Sequence, residues 1–227
     1  MTTEKQLVGE KAAEFVEDGM IIGLGTGSTV RYTIEKIGGL VQQGLSIQGV
    51  ATSIRTEQLA KECGIPLLSL EEVDELDLAI DGADEADPAF HLIKGGGGAL
   101  LREKIIASSA RRFVVVADPS KMVEQLGRFP LPVEVETFGY KMTEKKIRSL
   151  GGASALRVKE GKPYITDNGH YIFDCDFGLI ASPEELEREL NLIPGVVENG
   201  LFIDMADTII TVNEKQEIQV KKRTKQE

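Results

Sequence analysis

The sequence predicts an α/β fold: a Rossmann-like, mostly parallel sheet domain with a smaller, ferredoxin-like α+β domain inserted into it. Three observations carry that expectation. Short apolar runs alternate with helical apolar stripes through the first half of the 227 residues, which is the pattern of a parallel sheet. Pro130 and Pro132 then interrupt the chain and mark a boundary. Past that boundary the chain reads β-α-β-β-α-β, the split unit of ferredoxin-like domains. The expected division is residues 1–129 with 205–227 for the sheet domain and 130–204 for the insert.

The first helix comes from local signals at the N-terminus. Thr3 and Gln6 have the spacing of a capping box. Leu7, Val8, Ala12, Phe15 and Val16 recur at helical spacing, with Gly19 as a stop. Residues 20–24 form a short apolar strand, after which the glycine loop 23–29 opens a helix striped by Val30, Ile34, Ile37 and Val41. Residues 46–51 read as a strand, 55–63 as a helix stopped by Gly64 and Pro66, and 76–80 as a buried strand ending in acids. A loop at 95–98, a helix at 99–110 and a strand at 113–117 complete the first half. In the insert, strands are expected at 133–136 and 155–158, with a helix at 143–150 between them. Asp167-Asn168-Gly169 signals a turn into the alternating strand of Tyr171, Phe173, Cys175 and Phe177. Ser182-Pro183-Glu184-Glu185 starts a helix with Ser as N-cap and Pro at its first position. Pro194-Gly195 turns the chain into strands at 196–197 and 201–203, and a last strand at 208–212 rejoins the sheet domain.

Composition narrows the function. There are 26 basic and 37 acidic residues, a net charge of −11. General nucleic-acid binding and anionic-membrane binding both need a basic face, so no nucleic-acid or membrane partner is expected. A small anionic substrate needs only a few local cations. The one basic run, Lys221-Lys222-Arg223 with Lys225, reads as a solvated, fraying tail. Cys63 and Cys175 have no CxxC spacing and read as buried thiols in a reducing compartment. No apolar stretch approaches the roughly 18 residues of a membrane span, and no secretory apolar core is visible. A cytoplasmic protein is the expectation.

Four stretches could carry chemistry. Gly23-x-Gly25-x-Gly27-Ser28-Thr29 lies between a strand and a helix, where bare N–H groups and hydroxyls suit an anion. Its glycine spacing is not the dinucleotide fingerprint, and no Lys precedes Ser28-Thr29 as in a Walker loop. The plainer alternative is a tight turn with Ser28 as N-cap. Asp81-Gly82-Ala83-Asp84-Glu85 ends a buried strand, where ligands of open α/β sheets sit. Its acids suit a metal such as Mg²⁺, an acid/base set, or a solvated turn. Lys94-Gly95-Gly96-Gly97-Gly98 pays a large ordering entropy, which points to a ligand approaching the backbone or to a moving loop, and the plainer alternative is a flexible linker followed by an exposed Glu103. Lys94 stands at its entrance, and Glu103 falls early in the helix behind it. Ala117-Asp118-Pro119-Ser120-Lys121 offers either a phosphate-directed Lys121 or a capped surface turn. His91 and His170 lack partners at metal spacing and read as surface or core residues. No nucleophile elbow is present.

These motifs occur together in an order that resembles ribose-5-phosphate isomerases of the A type. Gly25-Thr26-Gly27-Ser28-Thr29, Asp81-Gly82-Ala83-Asp84-Glu85, Lys94-Gly95-Gly96-Gly97 through Arg102-Glu103-Lys104, and Ala117-Asp118-Pro119-Ser120-Lys121 carry it. Phe129-Pro130-Leu131-Pro132-Val133-Glu134-Val135, Thr166-Asp167-Asn168-Gly169 and Ile193-Pro194-Gly195-Val196-Val197 extend it, so that it runs from about Lys5 to Val212. The resemblance implies interconversion of ribose 5-phosphate and ribulose 5-phosphate, a step of the non-oxidative pentose phosphate pathway, without a metal or organic cofactor. It implies that Glu103 is the base, that Asp81 and Asp84 hold the sugar hydroxyls, and that Asp81 is the better candidate for assisting ring opening. Lys94 and the N–H groups of Gly95, Gly96 and Gly97 face the enediolate oxygen. Thr26, Gly27, Ser28, Thr29 and Lys121 hold the substrate, with Gly82 and Ala83 lining it and Lys5 adding a charge near the phosphate. A homodimer or dimer of dimers is implied as well. Two other classes are weighed against this: a non-catalytic sugar-phosphate sensor, which would need an output domain, and a coenzyme A transferase, which would form an acyl–enzyme adduct.

Overall fold

The structure, a computed structural model, describes residues 3–224. Its contacts divide the chain into two units. The first holds the residues up to Ala83, Arg102–Met122 and those from Met205 on, and the second holds Asp84–Leu101 and Val123–Asp204. Residues 84–101 and 123–129, expected with the sheet domain, thus group with the insert. The reason is local pairing. The two-residue strands Glu85–Ala86 and Leu92–Ile93 join Leu201–Phe202 in a three-stranded antiparallel sheet. The buried Glu85 carboxylate also accepts from the N–H groups of Gly127 and Phe129 at 2.7 and 2.6 Å.

The first unit is built on a six-stranded sheet. Its order is Gln48–Ala51, Ile21–Leu24, Leu78–Gly82, Phe113–Val116, Thr208–Val212, Ile218–Lys222. All neighbours are parallel except the last pair. Leu78, Ile80, Val114, Val116, Ile210 and Val212 of the sheet share one core with Val8, Ala12, Ile34 and Ile37 of the helices Glu4–Ala12 and Val30–Gln42. The helix Glu4–Ala12 crosses close to the start of Val30–Gln42, because Gly9 has no side chain to hold them apart. A Cβ there would stand 2.7 Å from Thr29 O, and Thr33 Oγ1 donates to Gly9 O at 2.8 Å. The Ile21–Leu24 strand lies between its sequence successor Gln48–Ala51 and Leu78–Gly82. The strand order therefore reverses between Ile21–Leu24 and Leu78–Gly82, which opens a crevice at their carboxyl ends.

The basic tail is not frayed over its described part. Asn213 accepts from the N–H groups of Lys215 and Glu217 at 2.9 Å, an Asx-type turn. The chain then returns as Ile218–Lys222, antiparallel to Thr208–Val212. Lys221 and Lys222 belong to that strand, and Arg223 N donates to Asp207 O. Lys225 lies outside the described residues.

The second unit carries the expected split motif. Its four-stranded sheet runs Val196–Asn199, Leu131–Val135, Tyr171–Asp176, Ala153–Leu156, with every pair antiparallel. The helices Tyr140–Ser149 and Pro183–Asn191 supply Ile147, Leu186 and Leu190 to a core with Leu131, Val133, Val135, Phe173 and Cys175. Pro132 lies inside a strand rather than in a linker. Proline lacks an N–H to donate to the ladder, but its carbonyl still accepts from Gly200 N at 2.8 Å. Pro183 opens its helix as expected, but the Ser182 side chain forms no cap bond.

Candidate active site

The first unit brings the first glycine loop and Asp81 together at the crevice. Asp81 is buried, and its Oδ1 accepts from Thr26 N at 3.0 Å and Gly82 N at 2.7 Å. Gly25 N donates to Ile80 O at 2.9 Å, and a Cβ on Gly25 would overlap the Asp81 carboxylate. Only glycine lets the two strand ends close in this way. Thr26 Oγ1 is shared with the hydroxyls of Thr52, Ser53 and Thr56 at 2.8–2.9 Å. Ser53 caps the helix Ile54–Glu62 through Thr56 N, so this hydroxyl cluster ties the loop to the next helix start.

Beyond Thr26 the loop runs through exposed Gly27 and Ser28 into buried Thr29, and the helix begins at Val30. Ser28 is not the N-cap. Thr29 occupies that position without a side-chain cap bond, and Ser28 Oγ instead accepts from Lys5 Nζ at 3.0 Å. The close crossing at Gly9 delivers Lys5 there, 4.0 Å from the Asp118 carboxylate. Asp118 caps the short turn Pro119–Lys121 by accepting from Ser120 N, which holds Lys121 at the end of the Phe113–Val116 strand. First-turn N–H groups, hydroxyls and two lysines make this side of the unit suited to a phosphate.

Glu103 is 3% exposed, on the helix Leu100–Ser108. Ile106 lies one turn further on the same face. Its Cγ2 sits where a Cβ of Gly23 would be, so this helix packs directly on the Ile21–Leu24 strand. Glycine at 23 therefore sets the depth at which Glu103 is carried.

The second unit holds the other loop. Lys94 is 2% exposed, its N donates to Gly200 O at 2.9 Å, and its ammonium lies 5.3 Å from the Phe202 ring centre. Gly95 and Gly98 are buried while Gly96 and Gly97 are exposed. Gly98 N closes the turn onto Gly95 O at 3.0 Å, and Asp84 Oδ2 accepts from Gly96 N at 2.7 Å. The loop is thus an ordered turn, not a linker. The three acids of the Asp81–Glu85 run separate in role: Asp81 fixes the first glycine loop, Asp84 the second, and Glu85 the segment at 127–129. Among the described residues, no three His, Cys, Asp or Glu side chains gather as a metal ion requires.

The two histidines sit in polar pairs. His91 Nδ1 is 3.4 Å from Asp87, and His170 Nδ1 is 2.9 Å from the buried Glu134 carboxylate. Among the described residues, no helix is long and apolar enough to cross a membrane.

Residues 48–216 match the family model of ribose 5-phosphate isomerase A, also called phosphoriboisomerase A. The chain belongs to the ribose 5-phosphate isomerase A family. A ribose-5-phosphate isomerase A of Bacillus mycoides is 58% identical over 92% of this chain and 96% of its own length. A solved D-ribose-5-phosphate isomerase in complex with phospho-erythronic acid superposes with a TM-score of 0.93, at 42% identity over 97% of this chain and 98% of that one. The ribose 5-phosphate isomerase of Plasmodium falciparum gives a TM-score of 0.95 at 36% identity over the whole of both chains. The α/β architecture is thus that of the ribose 5-phosphate isomerase A family. Sequence reasoning passed over the Thr52, Ser53 and Thr56 hydroxyls in this family member. Their only signal is a cluster of small hydroxyl residues after a strand.

Proposed function

We propose that this protein interconverts D-ribose 5-phosphate and D-ribulose 5-phosphate through an enediolate, with Glu103 as the base. The observation that carries the reading is the pair of buried carboxylates, Asp81 and Glu103, in the unit whose strand order reverses at Asp81. A buried carboxylate in a water-poor crevice is a directed proton acceptor. The open-chain sugar offers its C2 proton to Glu103, which returns it to C1. One base serves both carbons because they are adjacent.

Asp81 and Asp84 hold the hydroxyls, and Asp81 assists ring opening. Lys94 and the loop N–H groups of Gly95 and Gly97 meet the negative charge as it develops on oxygen, while the Gly96 N–H donates to Asp84 Oδ2 and shapes the loop. Preorganised donors of that kind are worth about 10²–10³ in rate each. Thr26, Gly27, Ser28 and Thr29, with Lys121 and Lys5, take the phosphate end, while Gly82 and Ala83 line the sugar. Phospho-erythronic acid, the ligand of the solved relative, joins a phosphate to a carboxylate beside a hydroxyl-bearing carbon. That planar anion resembles an enediolate, which supports the same chemistry here.

Purified protein given ribose 5-phosphate in chelator should form ribulose 5-phosphate rapidly. Glu103→Gln should keep its fold and substrate affinity and lose turnover by about 10²–10⁴. A fully active Glu103→Gln removes Glu103 from the chemistry, and activity lost in chelator and restored by Mg²⁺ replaces the metal-free reading. A cytoplasmic homodimer or dimer of dimers completes the proposal. A light-scattering mass near the 24.7 kDa of one chain at working concentration counts against the oligomer.

A further inference from the structure

The glycine loop of the second unit has its peptide planes fixed by side chains of that same unit. Gly95 O accepts from Arg157 Nη1 at 2.9 Å. Gly96 N, the other end of the same peptide group, donates to Asp84 Oδ2 at 2.7 Å. That plane is pinned at both ends. The next carbonyl, Gly96 O, accepts from the same Arg157 Nη1 at 3.3 Å. Across a trans peptide, a carbonyl and the N–H that comes after it point in opposite directions. With Gly96 O turned toward Arg157, the Gly97 N–H points away from it, on an exposed stretch of the loop.

Consecutive glycines can flip such planes at little steric cost, so the orientation needs an external hold. Arg157 is built to give one. Its Nε donates to Asp174 Oδ2 at 3.0 Å and its Nη2 to Asp174 Oδ1, a two-pronged pair on the Tyr171–Asp176 strand. Its guanidinium carbon lies 6.0 Å from the Tyr164 ring centre, and the phenol of Tyr164 fills the space over Gly98. A planar guanidinium locked by a carboxylate loses little entropy when it grips two carbonyls. Its charge also polarises the Gly96 carbonyl, which strengthens the Gly97 N–H as a donor.

We propose that Arg157, oriented by Asp174, is a positioning residue for the isomerisation: it holds the Gly95 and Gly96 carbonyls so that the Gly97 N–H is presented to the enediolate oxygen. The proposal deepens the isomerase reading and rests on it. No bond from Arg157 to the sugar is required.

The test compares wild type, Arg157→Gln, Arg157→Lys and Asp174→Asn for kcat, KM and inhibition by phospho-erythronic acid, with thermal melting alongside. For Arg157→Gln, kcat should fall about ten- to a hundredfold, while KM stays within about twofold, because the interaction is made in the transition state. Inhibition by phospho-erythronic acid should weaken in step with kcat. Arg157→Lys should recover part of the loss, and Asp174→Asn should show a smaller loss of the same kind. A merely structural Arg157 would lower the melting temperature and leave both kcat per folded molecule and the ratio of KM to inhibition constant at wild-type values. That result overturns the proposal. If Arg157→Gln fails to fold, unchanged ratios in the other two variants overturn it equally. An inactive wild type would overturn the isomerase reading and this proposal together, whereas an active wild type with unaltered variants overturns this proposal alone.

Discussion

Asp81 illustrates how a single carboxylate is held in one geometry. Two backbone N–H groups fix its Oδ1, and the missing side chain of Gly25 leaves the space it occupies. Gly25→Ala should therefore displace Asp81 and cost about 1–3 kcal/mol of stability from overpacking, with kcat falling at least about tenfold. Melting and steady-state kinetics on one preparation check both, and wild-type kcat in the variant would show that Asp81 tolerates displacement. Cys175 gives a second prediction at this scale. Burial pushes its thiol from the ordinary 9.0 up to about 12. Above about pH 9 the unfolded chain releases this proton while the folded chain keeps it, so stability falls as pH rises from about 9 toward 12, by up to about 1.4 kcal/mol per pH unit. Urea midpoints measured upward from about pH 9 should drop more steeply for wild type than for Cys175→Ala, and parallel slopes would refute this. Asp81 and Lys94 stand out in the sequence because each adjoins a glycine at a strand end or loop start, and Glu103 because it falls early in the helix that follows the second glycine loop. Arg157 was not, because its bonds to Gly95 and Gly96 span about sixty positions of sequence and an arginine in a polar stretch reads as solvated.

At the scale of elements, two glycines set distances that the sequence leaves unspecified. Gly9 lets two helices cross closely and brings Lys5 to Ser28. Gly23 lets Ile106 reach the Ile21–Leu24 strand and so sets the seat of the helix that carries Glu103. Gly23→Ala should push that helix outward, with a loss of about 1–3 kcal/mol and a fall in kcat. Ile106→Ala, placed in the same chain, removes the obstructing Cγ2 and should restore part of both. The interaction energy from the double-mutant cycle is the measurement, and strict additivity would show that the two residues do not meet. Periodicity found the helices of both units and their longer strands apart from Ile218–Lys222, since the apolar faces repeat at 3.6 or 2. It missed the two-residue strands at 85–86 and 92–93, which are too short to show a period. Those strands are what move residues 84–101 into the second unit. It also reads Pro132 as part of a break although it lies inside Leu131–Val135, since proline reads as a break unless the pairing partner is known.

For the whole molecule, the consequential misreading is the tail. Thr208–Val212 consists entirely of β-branched, uncharged residues and is buried throughout. Left as an edge, such a strand would be a template for pairing with other chains. Ile218–Lys222 covers it and presents an exposed edge carrying Lys221 and Lys222, charges that discourage further strand addition. Net charge and the basic run predict solvation correctly but say nothing about pairing, because the turn that returns the chain is set by one short stretch, in which the side chain and backbone of Asn213 bond residues 215–217. The tail should then act as an edge guard. Deleting the residues after Asn213 exposes the Thr208–Val212 edge and removes its hydrogen-bonded partner. The shortened protein should melt at a lower temperature and show a light-scattering mass that climbs with concentration beyond that of the full chain. A shortened protein with the same mass and melting temperature as the full chain would mean that the Phe113–Val116 pairing alone secures this strand, and that the terminal strand has no protective role.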